Sequence, residues 1–233
     1  MSKAFEFRHR AREVSRLEAF SDVIFGFAIS LLVVSLEAPK SFHELMEMMR
    51  GIIPFGICFF LFIDIWYEHH DFFRRYNLHD FSVSALNTLL LFMLLFYVYP
   101  LKYVFTMFVN SMRGEATGIK TTDMPVLFTI YGLGLAAVFT LLGLMYRHAW
   151  TKRDELGLNE VEVIDTRESI WDNFTMAGFG IASAIMANVL PPGLVALCGF
   201  MYFLIAVPKT LIPTIMRRKR AQAEQRLLAA AAA

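Results

Sequence analysis

Long apolar runs, each separated from the next by a cluster of charged or turn-forming residues, dominate the chain from Phe20 onward. A hydrocarbon core of ~30 Å takes about 20 helical residues to cross. On that measure the pattern predicts six spans, at residues 20–36, 51–67, 81–108, 124–146, 170–190 and 194–215. A short segment at 41–49 is expected to lie at the interface ahead of the second span. The third span is interrupted near Tyr97, Tyr99, Pro100 and Lys102, where aromatics and a lysine mark a membrane boundary. Asn188, Pro191, Pro192 and Gly193 form the turn between the last two spans, because consecutive prolines remove backbone donors and restrict the residue before them. The polar tract 151–168 is expected to be a linker containing a short helix, and the alanine-rich stretch after Leu227 a tail with no partner pattern. No internal repeat stands out.

Composition turns this pattern into a statement about solvent. Of 233 residues, 57% are hydrophobic and 18% charged, and the mean hydropathy is +0.50. Too little polar surface remains to cover a water-soluble globule, so the chain is expected to be an all-α membrane protein with six transmembrane helices per protomer. A net charge of +1 excludes the concentrated basic excess of a nucleic-acid binder. Cys58 and Cys198 both fall inside apolar runs and read as packing residues, with no disulfide framework and no metal set around them. The first apolar run follows an arginine-rich tail and reaches Glu37, Ala38 and Pro39 without an Ala-x-Ala signal, so no cleaved leader is expected.

Lysine and arginine set the expected orientation. The N-terminal tail, the even-numbered loops and the segment after the last span hold sixteen, including Arg8, Arg10, Arg16, Arg74, Arg75, Arg167 and the run Arg217 to Arg220, against five on the other side. Both termini are therefore expected on the cytoplasmic side. The chain divides into a tail (1–15), a six-span unit (16–216) and a basic, alanine-rich tail (217–233). The terminal basic run serves as a topology anchor, with attraction to anionic lipid as its other reading.

Two polar clusters sit where apolar runs begin and end. Arg16, Phe20, Ser21 and Asp22 open the first span, with Glu18 between them as an interfacial residue. Asp64, Trp66, Glu68, His69, His70 and Asp71 close the second. Both lie on the same side of the membrane, so an interhelical network between them is expected. Adjacent histidines point about 100° apart on a helix and do not make a compact metal pair. Further along the first span, Gly26 and Ser30 allow close helix approach, and Ser30 can bond to its own helix. Phe27, Leu31 and Val34 form a stripe that reads either as core or lipid contact, or as an apolar constriction around an oligomer axis. Asn87, Thr88, Asn173, Thr175 and Asn188 are candidates for bonds between helices. The sequence contains no nucleotide loop, metalloprotease helix or Thr-Val-Gly-Tyr-Gly filter, and no spacing singles out a nucleophile, so an enzyme is not expected.

These residues carry a resemblance. Arg16, Phe20, Ser21 and Asp22 resemble the Arg-x-x-x-Phe-Ser-Asp signature of the lysosomal potassium channel family, transmembrane protein 175. Trp66, His69 and His70 are similar to its second-span tryptophan and paired histidines, and Asn87 and Pro100 to its third-span pattern. The resemblance implies a prokaryotic single-repeat member: a homotetrameric, potassium-permeable channel of the cell membrane, in contact with lipids, with potassium as permeant ion and no cofactor, metal or nucleic acid. It implies that the first span lines the pore, that Phe27, Leu31 and Val34 form the constriction, and that Arg16, Phe20, Ser21, Asp22, Trp66, His69, His70 and Asn87 form the supporting network, with one of the two histidines joining it. Phe27 departs from the family's usual Ile or Leu. Ser30 and Ser35 would offer polar steps beside the stripe. Two other classes remain: a cation-coupled secondary transporter with Asp22 and Asp64 in its coupling site, and a non-conducting scaffold.

Overall fold

A computed structural model describes residues 7–11, 13–34, 40–112, 114, 118–120, 122–191, 194–195 and 197–232. Among them every regular element is helical: α1 (Arg16–Val34), α2 (Phe42–Arg50), α3 (Ile52–Tyr76), α4 (Phe81–Met112), α5 (Met124–Thr151), α6 (Glu160–Val189), α7 (Leu197–Phe200), a 3-10 turn (Met201–Ile205) and α8 (Ala206–Ala232). By length and composition α3, α4 and α5 can each cross a membrane. Helices α1, α6 and α8 mix apolar stretches with charged ones, such as Arg16, Glu18 and Asp22 on α1.

Helix ends follow local backbone chemistry more than the apolar pattern. Helix α3 continues nine residues past its predicted end at Tyr67 and stops where Asn77 adopts a left-handed conformation (φ 51°) and donates its N–H to the Phe73 carbonyl. The expected linker at 151–168 is turn and coil over 152–159 and helix from Glu160 onward. Gly157 turns the chain at φ 58°, and a capping box follows, in which Asn159 accepts from the Glu162 N–H while the Glu162 carboxylate accepts from the Asn159 N–H. Thus α6 begins ten residues before the predicted span. The predicted sixth span is divided into α7, the 3-10 turn and α8, and the alanine-rich stretch after Leu227 extends α8 as helix. Pro192 and Gly193 of the expected turn lie outside the described residues.

The main core joins α1, α3, α4 and α5 around Phe25, Phe62, Phe72, Leu90, Leu94, Leu142 and Tyr146. A smaller one holds Phe128, Ala187, Val195 and Cys198. Both cysteines are buried and unbridged. Helices α5 and α6 meet backbone to backbone, since a Cβ on Gly132 would strike the Gly180 carbonyl and one on Gly180 the Gly132 carbonyl. At the end of α1, Lys102 of α4 donates to the Leu32 carbonyl at 2.9 Å, giving an unsatisfied helix terminus a cationic donor.

Candidate functional site

Helix α1 has two faces of opposite character. Glu18, Ser21, Phe25, Ala28 and Leu32 recur at three- and four-residue steps and are buried against α3 and α4. On the other face Phe20, Val23 and Phe27 are 59%, 69% and 56% exposed, and Arg16, Gly26 and Ser30 lie open beside them. Ser30 donates its hydroxyl to the Gly26 carbonyl at 2.8 Å, so the residue meets its own hydrogen-bonding need without a partner helix. Leu31 sits at the edge of the open face, half-buried against the core. The Val34 side chain and all of Ser35 lie outside the described residues.

A chain of hydrogen bonds fixes the buried face. The Ser21 hydroxyl donates to the Leu17 carbonyl at 2.8 Å, and Asn87 of α4 donates its amide N–H to Ser21 Oγ at 2.9 Å. That commitment leaves Asn87 Oδ1 as an acceptor, 2.7 Å from His69 Nε2 of α3. His69 therefore carries its proton on Nε2, and three helices are tied through one asparagine. The imidazole is fully buried between Phe25 and Phe73, with ring centroids at 5.3 and 4.9 Å.

A second set of contacts joins α1 directly to α3. Trp66 Nε1 donates to Asp22 Oδ1 at 2.7 Å, Trp66 stacks on His70 at 5.3 Å, and His70 Nδ1 lies 3.4 Å from Glu18 Oε1. Glu18 and Asp22 are four residues apart on α1, as Trp66 and His70 are on α3, so two helical turns meet rung by rung. Both histidines join, on separate branches. Glu18 is only 3% exposed and belongs here, not to an interface. The signal was its own spacing, one turn before Asp22. Arg16 lies on the open face with no ion pair among the described residues, and Phe20 is likewise apart from the network.

The tail before α1 is pinned elsewhere. Arg8 Nε and Nη2 donate to the two Glu162 oxygens at 3.0 and 2.8 Å, and Arg10 Nη2 to Oε2 at 2.9 Å. Arg8 and Arg10 also hold the carbonyls of Gly157, Leu156 and Arg75. Burial pushes the Glu162 pKa up, but the bonds from Arg8 and Arg10 outweigh it and hold the group at about 2. In the sequence these arginines count only among the positive charges that set orientation, because their partner lies some 150 positions away. Between α3, α6 and α8 a charged cavity of about 290 Å³ holds Glu68, Asp165 and Asp172 against Arg75, Lys209 and Arg220. Among the described residues no group of three or more His, Cys, Asp or Glu side chains is placed to hold a metal ion.

Comparison with known proteins bears on the same helices. The model of a family described as endosomal/lysosomal potassium channel TMEM175 matches residues 16–97, from the start of α1 into α4. A protein named potassium channel from Marivirga tractuosa is 40% identical over 226 residues, covering 88% of this chain and 91% of the relative. Another so named, from Chamaesiphon minutus, is 30% identical over 98 residues, or 38% of this chain and 47% of the relative. The crystal structure of a variant of the potassium channel MtTMEM175, in complex with a nanobody fusion, superposes with a TM-score of 0.80 at 37% identity, over 91% of this chain and 97% of that one. A lysosomal potassium-selective TMEM175 homolog from Chamaesiphon minutus shares the fold, with a TM-score of 0.58 at 20% identity over 86% of this chain and 98% of that one.

Proposed function

This chain belongs to the endosomal/lysosomal potassium channel TMEM175 family, and from that premise we propose that it forms a homotetrameric, potassium-permeable channel of the cell membrane, its pore lined by the open face of α1. In this reading residues 16–216 make six spans, the tails at 1–15 and 217–233 are both cytoplasmic, and α6 and the α7–α8 segment complete the membrane unit that α3, α4 and α5 begin. The observation that carries the pore assignment is the division of α1 into a face held by hydrogen bonds and a face left open. Exposed phenylalanine alone suits lipid equally well. Gly26 and Ser30 on the same face favour a helix neighbour, because small residues permit close approach where lipid contact needs none.

Four copies of Phe27, with Leu31 and Val34 on the following turns, form an apolar constriction that expels water when the helices are close and admits a partly hydrated cation when they separate. Ser30 and Ser35 supply polar steps beside it. Apolar side chains cannot replace a hydration shell, so discrimination between potassium and sodium is weaker than a ring of carbonyls achieves. The network of Ser21, Asp22, Trp66, His69, His70 and Asn87, with Glu18, supports α1 during this movement and does not contact the ion. Arg16 and Phe20 lie on the pore side, where a neighbouring protomer is their partner. A coupling site shared by Asp22 and Asp64 has little support, since Asp22 is held by Trp66 while Asp64 lies 3.9 Å from Lys209.

Planar-bilayer recording of the purified protein in a potassium gradient tests this reading. Discrete potassium currents altered by both Phe27→Ala and Leu31→Ala are expected. Well-folded protein that conducts with neither substitution having any effect would remove α1 from the pore. Coupled vesicle flux without channel steps would favour a transporter. Reversal potentials in mixed potassium and sodium gradients measure the selectivity.

A further inference from the structure

Away from the pore helix, α6 and α8 enclose an open apolar groove of about 460 Å³. Trp171, Thr175 and Phe179 of α6 line one wall at one-turn intervals, and Leu211, Ile215 and Met216 of α8 the other. The helices run antiparallel, because Lys209 pairs with Asp172 at 3.4 Å while Arg220 pairs with Asp165 at 3.6 Å. Moving from Phe179 to Trp171 therefore leads to the same end of the groove as moving from Leu211 to Met216.

The next helical turn at that end is basic on both walls. Arg167 lies four residues before Trp171, and Arg218 and Lys219 lie three and four after Ile215, each continuing the face that lines the groove. All three are exposed. The nearby acids are engaged in the charged cavity that adjoins the groove at Ile212: Asp165 and Asp172 pair with Arg220 and Lys209, and Glu168 also lines that cavity. Trp171, 57% exposed, stands at the boundary between apolar wall and basic end, where an amphipathic ring is favoured at a membrane surface.

We propose that this groove is a binding site for an anionic phospholipid, with the upper part of an acyl chain between α6 and α8 and the headgroup phosphate on Arg167, Arg218 and Lys219. Along α6 the trough runs from Trp171 to Phe179, eight rises of 1.5 Å or about 12 Å, which suits the first half of an acyl chain. Charge complementarity selects the lipid. A zwitterionic headgroup meets the same apolar walls but brings a cation to three others, whereas an anionic one is attracted by all three. The site takes its membrane placement from the function proposed above and otherwise stands apart from conduction.

The test reads lipid contact and not current, so the two proposals fail separately. The full chain is reconstituted in phosphatidylcholine vesicles with increasing amounts of either brominated phosphatidylglycerol or brominated phosphatidylcholine. The Trp171 signal is taken as the difference between the parent and Trp171→Phe. Half-maximal quenching is expected at a mole fraction at least about fivefold lower for the anionic lipid, consistent with its electrostatic attraction to basic residues. Combined R167Q, R218Q and K219Q removes that preference, and Thr175→Phe, which fills the trough, weakens quenching by both lipids. Equal midpoints in the parent mean ordinary boundary lipid and overturn the proposal, as does a preference that survives the triple substitution. No Trp171-dependent quenching means that protein covers the groove and also overturns it. The parent comparison decides even if the triple variant misfolds.

Discussion

Replacing Asn87 with Leu isolates what the three-helix tie contributes. The side chain is fully buried, donates to Ser21 and accepts from His69. After the change Ser21 keeps its bond to the Leu17 carbonyl, but His69 Nε2–H points into an apolar wall made by Phe25, Phe73 and the new leucine. Stranding a buried donor costs about 1–3 kcal/mol. Membrane double-mutant cycles average about 0.6 kcal/mol per bond, because the unfolded chain in lipid also finds partners. The expected loss is therefore about 1–2 kcal/mol, carried mostly by the histidine. Adding His69→Phe removes the stranded donor while keeping a ring against the same aromatics. The double variant is then expected to recover about 1 kcal/mol relative to the sum of the single losses. Equilibrium unfolding of the protein in mixed micelles, for parent, both singles and the double, measures this. Strict additivity, or an Asn87→Leu loss below about 0.3 kcal/mol, would refute the reasoning that one asparagine holds both neighbours.

Other substitutions probe separate parts of the molecule. Trp66→Phe keeps the stacking surface on His70 but deprives Asp22 of its 2.7 Å donor, with an expected loss of about 1 kcal/mol and altered channel opening, read by unfolding and by single-channel recording. Gly132→Leu forces α5 from α6 and is expected to cost at least about 1–3 kcal/mol, whereas Gly26→Ala meets open space within the protomer and is expected to leave protomer stability intact while changing conductance. Glu162 titrates at about 2 against an ordinary 4.5, so its contribution to stability is fully present above pH 4.5 and is lost as pH falls through about 2. The parent is expected to lose tail attachment over that window, seen as faster proteolysis before α1 by an acid-active protease, while Glu162→Gln shows the faster cleavage already at pH 5.

Several features were legible because they depend on local chemistry. The apolar runs anticipated the positions of α1, α4 and α5 and the start of α3, since backbone in an apolar setting must be satisfied internally. Helix ends were less legible. Hydropathy reports the surrounding solvent, and a helix does not stop at the membrane surface, so α3 runs on to Tyr76 and α6 starts at Glu160. The sixth span looked continuous because its apolar character persists through the 3-10 turn at 201–205. Arg8 and Arg10 read as generic positive charge until Glu162 was brought beside them.

The sequence by itself determined the class of molecule, where the polar clusters fall along the chain and the family, because an apolar surface, charges at the ends of apolar runs and a short signature are properties of the chain in order. Only the tertiary structure decided how those residues pair. Rotation of α1 about its axis, set by packing against α3 and α4, turns Glu18, Ser21 and Asp22 inward to His70, Asn87 and Trp66, and leaves Arg16, Phe20 and Phe27 facing out. Helical spacing names the faces, but which one is covered depends on the helices packed beside it.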